Sequence, residues 1–136
     1  MGHIRELDGD EIEAILGNAI VFRIACTHPT QGRPYLVPVS CAYDGSALYG
    51  HTGPGTKLTC LRANPEVAVE TDVARAADDW ESVVAGGTFN ELASPERDAA
   101  LRLIYPNTDA LPDLGVMTVV FRIALHDKTG RYERPD

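Results

Sequence analysis

Lys57 stands one residue inside a helix that opens after Gly53-Pro54-Gly55 and stops before Asn64-Pro65. Thr56 is the residue expected to cap it. A helix N-terminus carries partial positive charge and unpaired amides, so a cation in its first turn is electrostatically misplaced. An anion at that point would reverse the sign of the effect, because the amides, the Thr56 hydroxyl and Lys57 would converge on it. The plainer alternative is a solvated lysine that tolerates a small penalty. His51 is the one histidine beside this loop. It is the candidate catalytic side chain, able to hydrogen-bond a ligand or shuttle a proton, set against an ordinary strand-end histidine in water. Arg23 is the one charge in the apolar run Ile20 to Thr27. It is either a second anion contact or the solvent side of a half-buried strand whose Phe22 and Ile24 turn inward.

Other chemistries are set aside by spacing. The stretch GHTGPGTK, Gly50 to Lys57, has the glycines of a phosphate loop but not the order Gly-Lys-Ser/Thr. The strands before it form a hairpin rather than a parallel β-α unit, so a nucleotide hydrolase is rejected. No Ser-His-Asp or Cys-His arrangement can be placed. His3, His28, His51 and His126 lack metal-ligand spacing. Cys26, Cys41 and Cys60 are odd in number and show no CxxC. Cys26 and Cys41 fall in apolar strands and read as small core residues, which fits a reducing cytoplasm. The formal net charge of −8 argues against a nucleic-acid partner. No apolar run approaches the ~20 residues of a membrane span, and the acidic start MGHIRELDGDE is not a secretory signal.

The elements that must position these residues fit one domain, residues 1–136. Asp10 caps a first helix with Glu13 as its capping-box partner, Ile12, Ile15 and Leu16 share its inner face, and Gly17 ends it. Ile20 to Thr27 is the first strand, and His28 to Arg33 a polar turn. Tyr35 to Tyr43 is the second strand, and Pro38 places an edge or a bulge within it. Asp44-Gly45 turns the chain into a return strand, Ala47 to His51. Glu66 to Asp72 alternates as a strand, Val73 to Asp79 reads as a polar loop, and Trp80 to Leu92 is a long strand softened at Gly86-Gly87. Trp80 reads as a core aromatic or a pocket wall. Ser94-Pro95-Glu96 starts a third helix, cap then proline, that runs to about Tyr105. Tyr105 to Gly115 is a loop long enough for a lid or a partner contact. Val116 to Leu125 closes the fold before a charged tail. About six strands and three short helices, joined by hairpins, make a mainly β, antiparallel barrel.

The order of the pieces carries a resemblance: Arg23 in its strand, GRPYLVPV at 32–39, DG at 44–45, LYGHT at 48–52, GTK at 55–57, LRANP at 61–65, WESVVAG at 80–86, then VVFRIAL and KTGR at 119–131. Together they resemble the pyridoxamine 5′-phosphate oxidase-like family, and more closely its branch of nitroimidazole-resistance-type proteins. The resemblance implies a six-stranded Greek-key split barrel that forms a homodimer, with FMN in a cleft between the subunits. It implies that the flavin ring lies along Val37, Pro38, Val39 and Ser40, touched largely by backbone. His51, Thr52, Thr56 and Lys57 would hold the phosphate, and Ser82 would reach the flavin. F420 and haem are the alternative cofactors of the broader family. The implied function is that of a flavin-dependent oxidoreductase on a small molecule, with a non-catalytic flavin or haem carrier as the alternative. The oxidase itself has basic residues where this chain has Val37 and Ala42, and a basic C-terminal segment, so oxidation of pyridoxamine phosphate is not implied.

Overall fold

The computed structural model describes residues 2–136. Among them run eight strands and three helices: β1 (Ile4–Glu6), α1 (Gly9–Asn18), β2 (Val21–Thr27), β3 (Pro34–Ser40), β4 (Ala42–Tyr43), β5 (Ala47–Thr52), α2 (Thr56–Ala63), β6 (Glu66–Ala76), β7 (Asp79–Glu91), α3 (Glu96–Ile104) and β8 (Val119–Glu133). The strands form one antiparallel sheet in the order β3-β2-β6-β7-β8-β5-β4, with β1 also paired to β8. The two ends of that order, β3 and β4, are one run of chain broken at Cys41. The sheet therefore curls until its edges meet at a single residue, and the barrel is split rather than closed.

The core lies inside the curl. Phe22, Ile24, Leu48, Leu61, Phe121 and Ile123 are fully buried, and the α1 residues Ile12 and Leu16 cover one mouth. Alternation sets the two faces of β2: Phe22, Ile24 and Cys26 point in, while Val21 and Arg23 point out. Gly87 is required by close approach, since a Cβ there would sit 2.5 Å from the Ile123 side chain. Gly45 is required by the turn, with φ of 101° in the bend after Asp44. The Asp44 carboxylate accepts from the amides of Ser46 and Ala47 and closes the turn. All three cysteines are free and buried. Burial pushes the Cys41 thiol up to about 12, with Lys57 pulling weakly the other way.

Several local expectations are corrected. Asp8, not Asp10, caps α1, and Glu11 closes the capping box; the box needs its two members three apart, and both pairs satisfy that spacing. Gly17 lies within α1, which ends at Asn18. Gly55 stands at the N-cap of α2, and Thr56 is its first residue rather than its cap. Pro95 occupies the N-cap position of α3, and Ser94 hydrogen-bonds Asp98 instead of the helix amides. The polar stretch from Val73 is strand as far as Ala76, with only Ala77 and Asp78 left as turn. Solvent-facing ribbon ends do not need apolar residues, so composition concealed it. The last strand starts later, at Val119, and absorbs the charged tail to Glu133, where it pairs with β1. The strand count exceeds the expected six because β1 is added and the run from Tyr35 to Tyr43 is broken at Cys41 into β3 and β4. Trp80 is half-buried beside Glu133 and lies outside the core clusters. The soft point in β7 is a register shift between Val84 and Gly86.

Candidate functional site

The α2 N-terminus is uncapped. Gly55 offers no side chain, and the first amide bonded within the helix is that of Thr59, to the Gly55 carbonyl at 3.0 Å. The amides of Thr56, Lys57 and Leu58 are thus left over, as at any helix start. The first turn carries no acidic residue. Lys57 is half-buried there, and among the described residues no carboxylate lies within ion-pair distance of it. A Cβ added at Gly53 or Gly55 would meet nothing within 4 Å, so the loop faces open space. Three amides and one unpaired cation around an open shelf are suited to an anion.

β5 brings His51 to this shelf. Its neighbour Gly50 packs so tightly that a Cβ there would come 3.2 Å from both Cys41 Sγ and the Ser40 carbonyl. The end of β3 and the end of β5 are therefore in contact, with α2 following directly. His51 is half-buried, and burial first, then the Lys57 charge, lowers its pKa below the ordinary value. It is a neutral imidazole at neutral pH. Its Nε2 lies 2.6 Å from the Tyr105 hydroxyl, and the two rings stack with centroids 5.9 Å apart. Thr52 is buried and its hydroxyl donates to the Gly53 carbonyl.

β3 contributes its backbone. Register pairs Val39 with Phe22 and Val37 with Ile24, and the Cys41 amide donates to the Ile20 carbonyl. In an antiparallel ladder hydrogen-bonded pairs alternate, so Tyr35, Val37 and Val39 bond to β2. Leu36, Pro38 and Ser40 turn their main-chain groups to the free edge. Pro38 lacks an amide where none would be bonded, which explains its place in the strand. The side chains of Val37 and Val39 pack on the core, while Pro38 and Ser40 are exposed. From Ser40 to Leu36 the edge runs about 14 Å at roughly 3.4 Å per residue.

The structure thus brings together Ser40, His51, Thr52, Thr56 and Lys57, with the β3 edge beside them. Ser82 stands apart. It pairs with Asp72 on β6, which continues the row through Val21 to Ser40. Three strand spacings separate the two serines, about 14 Å, along the outer face of the sheet. Sequence reasoning overlooked Tyr105, which is 54 residues from His51 at the end of α3. No local pattern signals such a pairing.

Arg23 is not spare charge for an anion. Its guanidinium binds Glu70 at 2.9 Å and Asp72 at 3.2 Å on the outer face. A cavity of about 360 Å³ lies next to it, lined by Ile15, Asn18, Val21, Asp72 and Glu81. Burial and the neighbouring Asp72 raise the Glu70 pKa to about 7 despite the Arg23 contact. Folding therefore takes up a proton between the unfolded carboxylate value and about 7, and stability falls as pH rises through that window. Asp72→Asn removes the like charge. Urea unfolding at pH 5 and pH 7.5 is expected to show a smaller fall for this variant than for the parent. An equal fall in both proteins would place the titrating group elsewhere.

Among the described residues no helix is long and apolar enough to cross a membrane, and no group of three or more His, Cys, Asp or Glu is placed to hold a metal. The sequence pattern of the pyridoxamine 5′-phosphate oxidase family matches residues 8–132. An uncharacterized protein of Rhizobium meliloti is 30% identical over 93 residues, which are 68% of this chain and 60% of that relative. The chain thus spans less than two thirds of that relative's length. A FAD-binding protein of Mesorhizobium loti is 33% identical, with TM-score 0.79 over 96% of this chain and 99% of that one. A Bacteroides thetaiotaomicron protein named for 5-nitroimidazole antibiotic resistance shares the fold, with TM-score 0.79 at 22% identity over 97% of this chain and 89% of its own.

Proposed function

Because the chain belongs to the pyridoxamine 5′-phosphate oxidase family, we propose that it binds a flavin nucleotide along the β3 edge, with the phosphate on the α2 shelf. The observation that carries this reading is the unpaired Lys57 at an uncapped helix start, directly beside a free backbone edge. The parts fit the group. A phosphate takes the amides of the first turn, the Thr56 hydroxyl and the Lys57 ammonium. The rim of a flavin ring, with its own donors and acceptors, is matched by the outward main-chain groups of Leu36, Pro38 and Ser40. FMN needs only this length of site. FAD is the second reading, favoured by the name of the Mesorhizobium relative and by the open space at Gly53 and Gly55 into which a longer phosphate chain would continue. Haem is less well served, since Nε2 of His51 is already engaged by Tyr105.

The bound flavin would supply hydride or electron transfer; the protein binds and orients it and excludes water. On this reading the protein is an oxidoreductase of a small molecule, with a non-catalytic flavin carrier as the alternative. The shelf is open to solvent at Gly53 and Gly55, and on this reading a second copy of the chain completes it. The outer face of β3, β2, β6 and β7 exposes Leu36 at 64%, Val21 at 44% and Val84 at 46% around the Arg23–Glu70–Asp72 ion pairs, a mixed surface that a two-fold partner would cover. Purified protein is expected to be yellow, to release FMN or FAD on denaturation, and to scatter light as a dimer whose interface exceeds ~1,000 Å². Bleaching by NAD(P)H would mark an enzyme, and its absence a carrier. A colourless monomer that takes up no added flavin would overturn the reading.

A further inference from the structure

We infer that Tyr105 is a positioning residue: its hydroxyl donates to Nε2 of His51, fixes the imidazole N–H on Nδ1, and so presents a neutral donor to the anion held by Lys57. The inference rests on the flavin-phosphate reading above for its consequence, but not for its geometry.

The geometry begins with the ring pair. The Tyr105 hydroxyl has one protein partner, His51 Nε2 at 2.6 Å, and the rings lie within 25° of parallel. A neutral imidazole has one N–H and one lone pair, and the bond at one nitrogen decides the state of the other. Phenol is the stronger acid and the imidazole nitrogen the stronger base, so the proton of this contact belongs to the oxygen. A separation of 2.6 Å is also short for an N–H donor, whose bonds to oxygen centre near 2.9–3.0 Å. The N–H is therefore on Nδ1. That nitrogen has no protein partner, and among the described residues no buried side-chain nitrogen or oxygen is left unpaired, so Nδ1 is reached by solvent.

The backbone holds Tyr105 in place independently. It is the C-cap of α3, its amide bonds the Leu101 carbonyl at 2.9 Å, and its carbonyl accepts from Thr108. α3 packs over the end of β5 through Leu101, Val120 and Tyr49. Tyr105 thus reports the position of α3 and of the loop after it to the shelf. The advantage over a protonated histidine is that a second cation next to Lys57 would be repelled whenever the site is empty.

The test is Tyr105→Phe, which keeps the ring and the stacking. In the flavin-free protein, ¹⁵N spectra of the imidazole are expected to give the Nδ1–H form of His51 in the parent. In the variant they are expected to move toward Nε2–H, the form imidazole prefers in water. FMN affinity is expected to fall about three- to tenfold, with riboflavin affinity unchanged. In a His51→Ala background the same change should have no effect on FMN. An Nε2–H form in the parent, or an unmoved tautomer in the variant, would overturn the inference whatever binds. A parent protein with the Nδ1–H form that ignores FMN would instead overturn the flavin reading alone. An equal loss for FMN and riboflavin would make Tyr105 merely structural and would overturn its part in holding the anion.

Discussion

Lys57→Ala is expected to weaken FMN binding about ten- to a hundredfold. The substitution leaves the phosphate with the three free amides of α2 and the Thr56 hydroxyl, but removes a charge-assisted contact. Such contacts are worth roughly 1.5–3 kcal/mol, which is that range of affinity. The folded protein should not suffer, since the change takes a cation away from the positive end of a helix and from the neighbourhood of His51. Riboflavin, which lacks the phosphate, is the control, and its affinity should not respond. Titration of both ligands against parent and variant reads the difference directly. Unchanged FMN affinity would move the anion site away from α2.

Phe121→Ala is expected to lose about 3–5 kcal/mol of stability, the usual cost of emptying a buried aromatic position. Phe121 is fully buried on β8, tilts against Phe89 with centroids 5.6 Å apart, and faces Gly50 across the ladder. A Cβ at Gly50 would stand 2.7 Å from the tip of the Phe121 ring. Gly50→Ala alone should then cost about 1–3 kcal/mol by overpacking. In the double variant the added methyl group enters space that the ring has vacated, so the two losses should sum to less than their separate values. Chemical unfolding of the four proteins measures the coupling. Strict additivity would show that Gly50 is small for another reason, such as its approach to the Ser40 carbonyl. Because that approach joins β3 to β5, Gly50→Ala should also loosen the shelf.

The parts of this molecule that were legible in its sequence are those with a local cause. Asp44-Gly45 announces its turn because the turn needs an acceptor and a positive φ, and both are there. Pro38 announces an edge because it lacks an amide, and β3 is the edge. Lys57 was conspicuous because its charge has the wrong sign for a helix start. What stayed hidden depends on distant partners. The charged stretch after Leu125 is strand because β1 and β7 supply its ladder, not because its residues favour one. Arg23 could be read two ways until Glu70 and Asp72 came alongside it from another strand. Tyr105 reaches His51 only once α3 has been laid across β5. Caps fell between the two cases: several acidic residues near Gly9 satisfy the same spacing, and the choice of Asp8 rests on where α1 meets the sheet.

The length of β8 has a consequence for how the molecule is made. This strand of 15 residues pairs with β1, β5 and β7, and one of those contacts joins Ile4 to Glu133. It is the last of the eight to leave the ribosome. Until it emerges, β5 has only the short β4 beside it, β7 has one bare flank and β1 has no neighbour at all. A nascent chain can form the β2-β3, β4-β5 and β6-β7 hairpins and the β2-β6 pairing early, but the loop entropy of the pairings with β8 must be met in one late step. Closure therefore waits for β8 to emerge, and through that interval the flanks of β5 and β7 are open to pairing with other chains.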